Sequence, residues 1–91
     1  MMKKQAHVYY SGQVQGIGFR FTVERLAEEL GVTGWVSNLG DGRVELRAEA
    51  NEDKLKDFLA QISSIFSRYI QDVDVSWEPA TGEFKDFGVR L

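Results

Sequence analysis

Cysteine is absent from this 91-residue chain, and histidine occurs once, as His7. Without thiols there is no disulfide, no thiolate nucleophile and no cysteine-ligated metal; a reducing compartment fits. A single histidine, with no His–carboxylate cluster at ligand spacing, leaves out the zinc motifs. A Ser-His-Asp relay would depend on His7 alone, which falls on the polar side of an expected strand and reads as a solvent-facing residue. Basic charge is also short: 11 Lys and Arg stand against 14 Asp and Glu, a net charge of −3. Sequence-independent nucleic-acid binding relies on a basic face, so any anion site here has to be a local concentration of donors. After Met1-Met2-Lys3-Lys4-Gln5 no apolar run follows that would serve as a signal segment or membrane span, and the cytoplasm is the expected location.

What is present suffices for one core. The chain has the length of a single domain, residues 1–91, and 43% of it is apolar and 12% aromatic. Residues 1–5 read as a flexible leader. Residues 6–11 then alternate, with Ala6, Val8 and Tyr10 on one face and His7, Tyr9 and Ser11 on the other, as in a half-buried strand. Phe19, Val23, Leu26, Ala27 and Leu30 change the period to that of a helix, expected over 20–30 and stopped by Gly31. A second strand is expected over 32–39, a turn at Gly40-Asp41-Gly42, and a third strand over 43–49. In that third strand Val44, Leu46 and Ala48 oppose a wet face of Arg43, Glu45, Arg47 and Glu49. Asn51 suits an N-cap, with Glu52 and Asp53 at the positive end of a helix lined by Leu55, Phe58, Leu59, Ile62 and Phe66. Val73, Val75 and Trp77 mark a fourth strand, Pro79-Ala80-Thr81-Gly82 a turn, and Phe87, Val89 and Leu91 a last short strand. The order β-α-β-β-α-β plus a terminal strand predicts an α+β, ferredoxin-like sandwich: two helices on one face of a four- to five-stranded, mostly antiparallel sheet.

One segment stands apart from this scaffold. Between the first strand and the first helix, Ser11-Gly12-Gln13-Val14-Gln15-Gly16-Ile17-Gly18-Phe19-Arg20 holds three glycines within seven positions and no acid. Glycines permit positive φ and close approach of a ligand to the backbone. A helix starting here turns its unpaired N–H groups and positive dipole end into the loop, with Arg20 as a fixed cation. The run is neither a Walker loop, which would end Gly-Lys-Ser/Thr, nor a dinucleotide fingerprint, which needs a parallel βαβ unit. Its spacing alone fits a phosphate cradle and a plain tight turn equally well. Asn38, at the end of the second strand, either caps the hairpin or aims its amide at a water.

A cradle, an arginine and an amide, with no acid, base, nucleophile or metal, can position reactants and stabilise charge. That is enough where the leaving group departs without a proton. A carboxylate leaving phosphorus is such a group; an alkoxide is not. Hydrolysis of a mixed carboxylic–phosphoric anhydride is therefore compatible with this inventory.

Residues 11–20 and the segment Gly34-Trp35-Val36-Ser37-Asn38-Leu39-Gly40-Asp41-Gly42-Arg43-Val44-Glu45 resemble, in order and separation, the two signature segments of the acylphosphatases. The resemblance implies a metal- and cofactor-independent hydrolase of acyl phosphates, releasing inorganic phosphate. It implies that Arg20 and the backbone N–H groups of Gln15, Gly16, Ile17, Gly18 and Phe19 bind the phosphate. Asn38 would orient the attacking water, whose proton the substrate's own phosphate would take. A monomer with no nucleic-acid or membrane partner is expected. The chain departs from the family at Gln13 and Ser37, each replacing a frequent basic residue, and over 63–71, which lacks the usual Gly-Pro connection. Two rivals are a phosphate-recognising module without turnover, and an RNA binder stacking bases on Tyr9.

Overall fold

In the computed structural model, which describes residues 2–91, strands and helices alternate as the periodicities predict. The order is β1 (Lys3–Gly12), α1 (Phe19–Leu30), β2 (Thr33–Asn38), β3 (Val44–Asn51), α2 (Glu52–Ile65), β4 (Ile70–Pro79) and β5 (Phe87–Arg90). The strands form one five-stranded sheet in the order β4-β1-β3-β2-β5, antiparallel except for the β2–β5 pair. This is the expected ferredoxin-like α+β arrangement, with β5 added at the edge.

The alternating sets meet in register. Ala6, Val8 and Tyr10 on β1 face Ala48, Leu46 and Val44 on β3, and Val36 on β2 pairs with Leu46. All seven are fully buried beneath the helices. Helix α1 contributes Phe19, Val23, Leu26 and Ala27, and α2 contributes Leu55, Phe58 and Ile62. Phe19 links the layers, its ring edge-on to Tyr10 at 5.0 Å and tilted against Phe66 at 4.7 Å. Aromatic pairs of this kind add to the apolar area they bury. Asn51 occupies the N-cap of α2 as expected, although its side chain makes no capping hydrogen bond. No helix among the described residues is long and apolar enough to cross a membrane.

The open face of the sheet differs from its sequence reading in three places. Lys3–Gln5, expected as part of a flexible leader, begin β1, and Gln5 is 2% exposed; Met1 lies outside the described residues. His7 is not solvent-facing: its Nε2 lies 2.7 Å from Glu45 Oε2 and its Nδ1 3.7 Å from Glu78. Glu49, expected on the wet face, is 4% exposed. The Thr81–Gly82 turn folds over it, and its carboxylate accepts bonds from Gln5 Nε2, both the N–H and hydroxyl of Thr81, and the Gly82 N–H. Burial opposes ionisation of Glu49, but these donors outweigh it and hold the carboxyl below its ordinary value. Tyr9 also faces this side, with Arg43 stacked on its ring at 4.6 Å.

Candidate active site

Strands β1 and β2 are both antiparallel to β3, so they run parallel to each other and finish at the same end of the sheet. Tyr10, Val44 and Asn38 share one cross-strand row, β1 to β3 to β2. Directly opposed residues point to the same face, so Asn38 projects to the helix side, as do Val44 and Tyr10. Two strand spacings, roughly 10 Å, separate β1 from β2. The glycine loop bridges that distance as it climbs from β1 into α1.

The loop is pinned at three points. Val14, which the sequence reading left out of the core, is fully buried. The Gln13 N–H donates to Tyr69 O at 2.9 Å, tying the loop to the connection between α2 and β4. The Gln15 side-chain amide donates to both Leu39 O, at 2.8 Å, and Arg43 O, at 2.9 Å, on either side of the β2–β3 turn. Gln15 was expected to contribute only its backbone N–H. Its side chain also fixes the loop to the residue that follows Asn38. The connection over 63–71 closes without Gly or Pro, through the Tyr69 and Ile70 N–H groups donating to Phe66 O.

Helix α1 opens directly from the loop. Gly18 is its N-cap in the left-handed region, φ 80, with no side-chain cap, and its carbonyl accepts the Thr22 N–H at 3.0 Å. The first turn carries no acid, so the positive end of the helix faces the cleft uncompensated. Gly16 is also left-handed, φ 79, and a Cβ at either glycine would meet nothing within 4 Å. Space above this backbone is therefore open to a ligand.

A cleft of about 290 Å³ brings together Gly16, Gly18, Phe19, Arg20 and Asn38. Gln15 and Ile17, the other expected backbone donors, lie in the same loop outside that lining; Ile17 packs partly buried on the core. Arg20 makes no ion pair among the described residues. The Oδ1 of Asn38 is buried and accepts no hydrogen bond from them. Buried acceptors are nearly always paired, so an unpaired one in the same cleft as Arg20 is a candidate partner for a ligand's donor. Ser37 points its hydroxyl at the Asn38 carbonyl, at 3.4 Å, and Gln13 is exposed. Among the described residues no three His, Cys, Asp or Glu side chains group in a way that would hold a metal ion.

Comparison with known proteins points in one direction. The family model described as Acylphosphatase matches residues 6–89. The chain is similar to an acylphosphatase of Roseiflexus sp. (strain RS-1), 42% identical over 86 residues that span 93% of this chain and 92% of the relative. An acylphosphatase of Caldanaerobacter subterraneus subsp. tengcongensis is 37% identical over 89 residues, 97% of this chain and 99% of the relative. Among solved structures, the acylphosphatase from Bacillus subtilis superposes with a TM-score of 0.89 at 32% identity, covering 97% of this chain and 99% of that one.

Proposed function

The chain belongs to the acylphosphatase family, enzymes that hydrolyse acyl phosphates, and from that premise we propose how its residues divide the work. Arg20 and the N–H groups of the 15–19 loop bind the phosphate, and Asn38 holds the water that attacks phosphorus. The observation that carries this reading is the free, buried Oδ1 of Asn38, lining the same cleft as Arg20. As an acceptor it takes one water O–H, leaving a lone pair of the water oxygen directed at phosphorus.

In the reaction, the water oxygen forms a bond to phosphorus while the bond from phosphorus to the acyl oxygen breaks. The electron pair leaves with the carboxylate, which needs no proton. The water's proton passes to a phosphate oxygen of the substrate. Arg20 forks onto two phosphate oxygens, and the loop N–H groups with the α1 dipole stabilise the charge that spreads over the others. In this scheme the protein supplies placement and electrostatics, and no side-chain acid or base and no metal takes part. Location in the cytoplasm and a monomeric state are part of the same proposal.

Phosphate release from acetyl phosphate in ¹⁸O-labelled water, with and without a chelator, tests the scheme. Chelator-insensitive release with the label in phosphate is expected. Label in acetate would move the attack to carbonyl carbon and refute the assignment. Tight phosphate binding without turnover would make the protein a binding module instead.

A further inference from the structure

The cleft that Arg20 and Asn38 line also has apolar side chains in its lining. Beside Arg20 and Asn38 its lining includes Val14, Phe21, Val89 and Leu91, together with Glu24. Phe21 is 68% exposed and Val89 38%, large apolar side chains left in water next to the reacting centre. They come from different elements. Phe21 follows Arg20 in the first turn of α1, whereas Val89 lies on β5, paired with the buried Val36 and pointing to the helix side. The edge strand that extends the basic β-α-β-β-α-β pattern thus supplies one wall of the cleft.

We propose that Phe21 and Val89 form the acyl-group subsite, selecting acyl phosphates with an uncharged, apolar acyl part, and that Glu24 turns away those bearing a second anion. This rests on the hydrolase reading above. On that reading a phosphate held by Arg20 leaves its acyl group to the rest of the cleft, whose lining is largely apolar. Small-molecule sites combine such walls with a few fixed polar groups. Glu24 lies three residues from Phe21 and four from Arg20, which places all three on neighbouring positions of the helix surface. Arg20 is the only cation lining the cleft among the described residues, and the phosphate engages it. A second carboxylate on the acyl chain would therefore meet the Glu24 carboxylate with no positive partner.

The test compares kcat/KM for benzoyl, acetyl and succinyl phosphate in the wild type, Phe21→Ala, Val89→Ala and Glu24→Gln. The wild type should favour benzoyl over acetyl phosphate by about tenfold, the scale on which apolar pockets discriminate. Phe21→Ala and Val89→Ala should each shrink that ratio several-fold, and Glu24→Gln should raise succinyl relative to acetyl phosphate several-fold. Competition by phenylphosphonate against methylphosphonate on the unaltered protein gives the same comparison without a variant, the phenyl compound binding more tightly. Ratios unchanged within twofold, with turnover intact and no phenyl preference, would overturn the subsite alone. No turnover of any of the three acyl phosphates would overturn the hydrolase reading and the subsite with it.

Discussion

Gln15 carries two jobs in the proposed scheme: its backbone N–H serves the phosphate, and its side-chain amide nitrogen spans two carbonyls of the facing hairpin. Leu39, one of its partners, follows Asn38 directly, so in the proposed scheme Gln15 would set the distance between phosphate and water. Gln15→Ala should lower kcat by about ten- to a hundredfold, since misplacement by an ångström is enough for such losses, and should weaken phosphate binding less. Gln15→Glu should be worse, because a carboxylate would face two carbonyl oxygens. Steady-state kinetics with phosphate as competitive inhibitor separates these effects, and a kcat unchanged in both variants would dismiss the role. Residue chemistry was legible in the sequence where it depended on near neighbours: Arg20 at a helix start, Asn38 at a strand end. The partners of Gln15 lie 24 and 28 residues away, and those of His7 38 and 71. Contacts at such separations exist only after the strands have chosen their order.

At the scale of elements, the strand-to-helix loop works because its neighbours hold it still. Gly12 ends β1 at φ 122, and a Cβ there would stand 2.4 Å from Tyr69 O and 2.7 Å from Gln71 N, both backbone atoms. Gly12→Ala must therefore push β1 from β4 or release the Gln13–Tyr69 tie. A cost of about 2 kcal/mol is expected, on the scale of overpacking, read as a fall in Tm of roughly 10 °C; a Tm within 2 °C of wild type, itself under ~0.5 kcal/mol on that scale, would contradict it. The alternation in β1 and β3 and the helical stripes located the elements to within a few residues, because period follows from which face is buried. Burial by a distant turn has no period. Glu49 keeps strand alternation and reads as solvent-facing, yet residues 81 and 82 cover it. Val14, an isolated apolar residue between polar ones, offered no pattern at all.

For the whole molecule, a polar anchor set apart from the core holds the sheet's open face. The Glu49 clip joins β3, β1 and the turn after β4. Its folded-state pKa lies below the ordinary carboxylate value of 4.5, so its contribution is complete above that pH and fades as pH falls through the lower, folded-state value. Glu49→Gln should cost about 1–3 kcal/mol at pH 7, with the gap to wild type narrowing below pH 4.5 in urea unfolding. An equal gap at all pH values would mean the charge is irrelevant. The same topology that creates this clip brings Asn38 to the end of the sheet where the glycine loop opens, and in the proposed scheme the two make one catalytic site. The direct measurement is kcat and phosphate inhibition for Asn38→Ala on acetyl phosphate. A kcat lower by about 10²–10³, the scale of a lost preorganised group, is expected, with phosphate inhibition nearly unchanged. A kcat within twofold of wild type would contradict it.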